Sequence, residues 1–316
     1  MRNIDPDILQ HFGCSPDAMY WGQPHERMSE RIEQSVRTRR MLAVIGSFGT
    51  GKSELVRETL SDLRQTDIIY AQSFDKENLR IGHIVASVVD RLSGESPRRD
   101  LNARCVQMSR IVGERVIGAG REVVVVIENA HRIHANTLLA LKDARESAIY
   151  KGHAGLFSVI LVGQEALEGK VKKFGEVQYR SRMLRLTPSE GWMTYKERMR
   201  YLHTLYSDAM DQELMSDLAA LYETPLELDH TIEKKMESAR DAGLRQLTSD
   251  VVDISIREKR QAADLSLSDV EKATGVPRST VSDVELGKNS NHETKAKVEQ
   301  GLQELLNSRK NDEVTA

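Results

Sequence analysis

Residues Gly46, Ser47, Phe48, Gly49, Thr50, Gly51, Lys52 and Ser53 have the types and spacing needed to hold a polyphosphate. Glycines at 46, 49 and 51 let the backbone curl until several amide N–H groups face one anion. Lys52 supplies a cation for the β- and γ-phosphates, and Ser53 a hydroxyl for Mg²⁺. A chance glycine-rich turn would lack the right flanks. Here an apolar run at 41–45 leads into the loop, and a helical pattern at 54–60 follows it. That order sets the loop amides at a helix N-terminus, which favours anions. The segment reads as a site for a nucleoside triphosphate, ATP with Mg²⁺.

A second run, Val123-Val124-Val125-Val126-Ile127-Glu128-Asn129-Ala130-His131-Arg132, is an apolar strand with a polar end. In phosphate-loop ATPases such a strand ends in a carboxylate that holds the Mg²⁺ water shell, followed by a glutamate that polarises water. Glu128 takes the first position and Asn129 the second. An amide has no usable proton affinity near neutral pH, so Asn129 cannot serve as general base, and hydrolysis is expected to be slow. In the opposite register Glu128 is the catalytic glutamate and Ile127 stands at the aspartate position. Gln164, after a fourth strand, is placed to orient the γ-phosphate or the lytic water, or else is a loop amide bonded to backbone. Arg182 is the preferred candidate for a finger reaching a neighbouring subunit's nucleotide, against the alternative of a solvated surface charge.

The elements that must position these groups alternate in type. Strands are expected at 41–45, 67–71, 123–128, 156–162 and 183–186, and helices at 52–63, 81–92, 101–117 and 136–148. This pattern belongs to a parallel sheet covered on both faces. After Pro188 the strand pattern stops, and helical spacing runs through 190–205, 212–221 and 226–242. The expected division is a helical lead-in at 1–39, a nucleotide-binding core at 40–188, a helical lid at 189–246 and an all-helical unit at 247–316 ending in a charged tail from Ser308. Phe12, Tyr20 and Trp21 of the lead-in are candidates for packing on the core. At 316 residues the chain is long enough for several cores. Its formal charge of −3 excludes a generic polyanion binder. Cys14 and Cys105, the two cysteines, have no metal-ligand spacing and suit a reducing, cytoplasmic setting. The longest apolar run, 123–127, is too short to cross a bilayer, and no membrane partner is expected.

Gly46–Ser53, Glu128 to Arg132, Gly163-Gln164 and Arg180-Ser181-Arg182 occur in an order that resembles the AAA+ ATPases of transposition, the group of TnsC, phage Mu transposition protein B and their ExeA-like relatives. The opening His11-Phe12-Gly13-Cys14-Ser15-Pro16 is similar to that group as well. The resemblance covers about 8–240. It implies an α/β fold, an AAA+ phosphate-loop NTPase core with a helical lid. It also implies an ATP-dependent homo-oligomer, ring or filament, on duplex DNA that selects target sites and recruits or stimulates a transposase. Two residues depart from the group. Asn129 replaces the usual glutamate, and Glu227 of the lid stands where relatives often carry a sensor arginine.

The stretch 254–288 resembles the helix-turn-helix of lambda-repressor-like (XRE) regulators. Leu265, Val270 and Ala273 are expected on the inner face of the first helix. Gly275 permits the turn, Val276 plugs the core, Val281 and Val284 face inward, and Gly287 ends the second helix. Arg278, Ser279, Thr280 and Ser282 would then face the major groove, with Lys288 near a phosphate. Glu271 departs from the small residue usual in that family. Residues 251–316 carry ten Lys/Arg and twelve Asp/Glu, so a protein-docking role competes with DNA reading. A more basic stretch, 170–200, together with Lys142 and Arg145, offers a DNA-facing surface or a solvated face. The leading expectation is an ATP-gated, DNA-binding regulator of transposition. A nucleotide-responsive transcription regulator is the alternative. A motor such as a helicase is disfavoured by the single nucleotide core and by Asn129.

Overall fold

The computed structural model describes residues 4–71, 79–175, 177, 181–248, 255–263, 265–288 and 291–315, the last helix by its backbone alone beyond 306. They fall into two compact units, Gln23–Glu190 and a second made of Met1–Gly22 with Gly191–Ala316.

The first unit is a parallel sheet with helices. Its strands are β1 (Met41–Ile45), β2 (Thr66–Tyr70), β3 (Glu122–Ile127), β4 (Ser158–Gly163) and β5 (Ser181–Arg185), in the order β2-β3-β4-β1-β5. All four pairings are parallel, and Ile45 lies opposite both Gly163 and Arg185. The strands at 123–126 and 159–162 are buried along their whole length, as continuous apolar runs require when both faces are covered. Met41, Ala43, Ile45, Val123, Val125, Ile127, Val159 and Leu161 join one core cluster. In it they meet residues of α4 (Ile81–Ser93), α5 (Leu101–Gly113), α6 (Ala135–Ser147) and α7 (Ala166–Lys172). The alternate residues Leu42, Val44, Val124 and Ile160 turn to the other face. There α2 (Gln23–Arg37) contacts β1, β3 and β4 through a stripe of Met28, Ile32 and Val36.

The expected strands stand within one or two residues of the observed ones. The helix expected at 101–117 ends its regular part at Gly113 and continues as a π-helical turn, Glu114–Gly118. A Cβ at Gly113 would lie 2.1 Å from the Tyr150 ring, so the turn is packed against that ring. Helix α7 was not expected. Its short apolar pair, Leu167 and Val171, is too brief to register as a period.

The second unit is helical: α1 (Pro6–His11), α8 (Tyr195–Tyr206), α9 (Gln212–Leu221), α10 (Pro225–Asp241), α11 (Ile256–Ala262), α12 (Leu267–Thr274), α13 (Arg278–Glu285) and α14 (His292–Thr315). The boundary expected at 246/247 falls inside this unit. Tyr20 belongs here rather than on the sheet unit: its hydroxyl donates to Glu197, and its ring meets Tyr201 edge-on at 5.7 Å. Burial first, then the Glu197 carboxylate, drives the Tyr20 phenol pKa upward. Tyr201 and Tyr206 donate to one buried carboxylate oxygen of Asp229, at 2.6 and 2.7 Å. The expected tail from Ser308 is instead the end of α14, whose buried Val298, Leu302 and Leu306 repeat every fourth residue. Gly301 of that helix lies so close to α12 that a Cβ would stand 2.2 Å from Thr274 Cγ2. No helix among the described residues is long and apolar enough to cross a membrane.

Candidate functional site

The loop 46–51 leaves the C-terminal end of β1 and enters α3 (Lys52–Ser61). Gly49 and Gly51 both have φ of +81°, the left-handed region that other residues enter only at a cost. Gly46 is fixed by space instead. Its added Cβ would lie 3.0 Å from both Leu186 O and Thr50 Oγ1. Thr50 Oγ1 donates to Ser47 O at 2.9 Å. Lys52 Nζ donates to the same carbonyl and to Thr50 Oγ1, at 3.1 Å for the latter, so the ammonium is folded over the loop. Burial lowers the Lys52 pKa, while the Glu165 and then the Glu128 carboxylates oppose that shift. Phe48 points outward and is 74% exposed.

Glu128 follows the last residue of β3. Its Oε2 accepts from Ser53 Oγ at 2.7 Å. Hydroxyl and carboxylate thus converge at one point beside the loop, and such an oxygen pair suits a hard cation. The donor set fits Mg²⁺ with a triphosphate: glycine-freed amides and a half-desolvated ammonium for the anion, two oxygens for the metal. Asn129 is exposed with φ of +54°. Asn is among the few side chains that tolerate this backbone, so the turn itself gives a reason for the amide. Tyr70, unmarked by any motif, ends β2, and burial followed by Glu128 raises its pKa. Only the strand order β2-β3, invisible in sequence, brings it there.

The end of β4 is laced to this turn. Ala130 N–H donates to Val162 O at 2.8 Å and Gly46 N–H to Gly163 O at 3.3 Å. Gln164 is half-buried, and its backbone N–H donates to His131 Nδ1 at 3.3 Å. Burial, then Lys170, Arg132 and Lys52, push the His131 pKa down, which keeps the ring a neutral acceptor. Lys170 Nζ donates to the carbonyls of His131 and Ile133. His131 and Lys170 were missed as structural partners of this site, although His131 sits in the same motif as Glu128.

Arg182 stands away from the loop. It pairs with Leu42 on the edge strand β5, three residues before the strand end, and its Nη1 donates to Gln34 Oε1 at 2.8 Å. Arg180 lies outside the described residues. In the basic stretch at 170–200, Lys172, Lys173, Arg182, Lys196 and Arg200 are exposed, but several of its cations have acidic or carbonyl partners. Arg185 and Lys172 hold the Glu168 carboxyl down at about 2. Arg198 is buried and donates to Ala219 O and Met193 O, and Arg200 pairs with Glu197. Lys142 is buried against Asp143 and Glu146, and Arg145 donates to Phe157 O and Arg39 O. Glu227 is half of a reciprocal cap with Thr224, the two side chains 2.9 Å apart, which accounts for a carboxylate at the start of α10.

In the helix-turn-helix, Val270, Val276, Val281 and Val284 are buried and Leu265 is half-buried. Gly275 turns at φ +69° and Gly287 at +67°. Ala273 is exposed, and Thr274, four residues after Val270, takes the inner position. Thr274 Oγ1 donates to Val270 O and accepts from Val276 N–H. Arg260 and Glu285 form a bidentate pair at 2.6 and 3.0 Å that ties α11 to α13, with side chains 13% and 4% exposed. Arg278, Ser279 and Lys288 are exposed, and Thr280 and Ser282 are half-buried.

Residues 32–171 match the family model described as an AAA domain, and 256–291 match the one described as a helix-turn-helix. No curated protein matches the chain in sequence. Among solved structures, the crystal structure of Cdc6p from Pyrobaculum aerophilum is similar at 15% identity and a TM-score of 0.58, over 98% of this chain and 89% of that one. The Drosophila ORC bound to DNA is similar at 11% identity and a TM-score of 0.53, over 94% and 77%. At these identities the likeness is one of fold. Fold and matches together give an AAA+ fold with an AAA domain over 32–171, followed by a helix-turn-helix over 256–291. The sheet order, the phosphate loop on β1 and the turn at Gly275 are the features of this chain that carry the likeness.

Proposed function

We propose that this chain is an ATP-dependent, DNA-binding AAA+ regulator of DNA transposition, acting in the cytoplasm as an ATP-bridged homo-oligomer on duplex DNA. Residues 40–188 form the nucleotide-binding core, 189–246 the lid and 247–316 the helix-turn-helix domain. The observation that carries the reading is the convergence of Ser53 on Glu128 at 2.7 Å beside a loop whose glycines and lysine are arranged for phosphates. Gly46 to Ser53 bind the triphosphate, with Ser53 and Glu128 holding Mg²⁺, whose charge offsets that of the phosphates when bound. The Ser53 contact supports the register in which Glu128 is the metal-associated carboxylate. Asn129 leaves the following position without a base, so turnover is slow. Gln164 faces the site from β4. Arg182, exposed on the edge strand, reaches the nucleotide of the next copy. A ligand shared across an interface stabilises the assembled state by linkage. Arg278, Ser279, Thr280 and Ser282 meet DNA in the major groove and Lys288 meets a phosphate. A transposase is the recruited partner.

Electron microscopy with long duplex DNA, with and without ATP and Mg²⁺, tests this. Extended, sequence-tolerant coverage that needs ATP is expected. Discrete dimers on one pseudo-palindromic site would instead favour a nucleotide-responsive transcription regulator. A chain that stays monomeric under all conditions overturns the reading.

A further inference from the structure

The strand order brings a second acidic group to the nucleotide site. β4 lies between β1, which feeds the phosphate loop, and β3, which ends at Glu128. Whatever follows β4 therefore sits between the loop and the Glu128 turn, in the crevice where parallel sheets place ligands. That position is pinned on both sides. Gly163 O accepts from Gly46 of the loop, and Gln164 N–H donates to His131 of the turn. The next residue, Glu165, is exposed and opens α7. Its charge is felt on both flanks, opposing the fall in pKa of Lys52 more strongly than Glu128 does, and opposing that of His131. Among the described residues of the site, Asn129 is an amide, Glu128 is engaged by Ser53, and the acceptor nitrogen of His131 is taken by the Gln164 N–H.

We infer that Glu165 is a catalytic residue of this site, its carboxylate accepting the proton of the water that attacks the γ-phosphorus of bound ATP. The new O–P bond forms as the bond from the γ-phosphorus to the ADP oxygen breaks. ADP and inorganic phosphate result, and Glu165 later releases its proton to solvent. The turnover that Asn129 does not support is carried from the end of the neighbouring strand β4. His131 accepts from the Gln164 N–H next to Glu165, and Lys170 holds the carbonyls of the His131 turn. The inference rests on the ATP-binding reading.

The test compares the full chain with Glu165→Gln, Glu165→Asp and Lys52→Ala, measuring equilibrium binding of a fluorescent ATP analogue and steady-state phosphate release. Glu165→Gln is expected to lower turnover about a hundredfold, the usual size of a lost general base. Its nucleotide affinity should tighten severalfold, because a negative charge beside the polyphosphate has been removed. Glu165→Asp should retain part of the turnover. Unchanged turnover in Glu165→Gln overturns the assignment, as does an affinity lost to the level of Lys52→Ala. A full chain that binds ATP but releases no phosphate overturns it too. A full chain that binds no ATP fails the underlying reading instead, and so is told apart from these outcomes.

Discussion

The nucleotide site and the helix-turn-helix differ in where their polar groups point. Around the phosphate loop they are turned on one another: Lys52 on Ser47 and Thr50, Ser53 on Glu128, Gln164 on His131, Lys170 on the turn carbonyls. In the helix-turn-helix the residues assigned to recognition face solvent or are half-buried, and the interlocking is left to the skeleton of Arg260, Glu285, Thr274 and Gly301. In the first region function and architecture share side chains. In the second they are separated, so stability and recognition there can be altered independently.

The largest effect should come from breaking the skeleton. Glu285→Ala strips the largely buried Arg260 guanidinium of its counter-charge, leaving its bond to Leu265 O, and should cost about 3 kcal/mol in denaturant unfolding. ATP affinity should be unchanged, because the pair lies in the other compact unit. A loss of ATP binding in that variant would erase the distinction between the regions. Next, Lys52→Ala should weaken ATP binding by about 1.5–3 kcal/mol, roughly ten- to a hundredfold in Kd by calorimetry. Stability without nucleotide should move little, since the bonds it loses are local to the loop. Asn129→Glu should cost roughly 1–2 kcal/mol for a side chain forced into the left-handed region. Its phosphate release should rise, because a carboxylate then faces the site. A flat rate would show that position 129 is an architectural part of the turn.

The smallest effect concerns pH. His131 has a pKa below its ordinary value of about 6.5, so the folded chain binds fewer protons there than the unfolded one. Its contribution to stability is full above about 6.5 and is lost as pH falls through the folded value. Protonation would set a donor against the Gln164 N–H, among the charges of Lys170, Arg132, Lys52 and Glu165. The slope should vanish in His131→Asn, measured by thermal unfolding across that range.

What could be read from residues alone divides along the same line. The phosphate loop was legible because its function lies in backbone geometry, and only glycine satisfies φ of +81° cheaply. The Glu128 strand was legible as an apolar run ending in charge. Nothing local told that β4 would lie between β1 and β3, so Tyr70 and Glu165 could not be gathered into the site. In the basic stretch at 170–200 a charge count ignores partners. Arg198 looks like any surface arginine until its two carbonyl acceptors are seen. Reciprocal caps such as Thr224 with Glu227 and Ser266 with Asp269 were available as a three-residue spacing. Helix α14 was cut short because its charged final residues hide the stripe set by Val298, Leu302 and Leu306.

Gly301 has a consequence for how the chain's last helix is aimed. Where the backbones of α14 and α12 approach this closely, the contact works as a notch that accepts one rung only. Sliding α14 by a turn, about 5.4 Å, would bring Lys297 or Leu305 against Thr274, and neither fits a gap that excludes a methyl group. A single hydrogen in place of a side chain therefore sets the heading of a 24-residue rod.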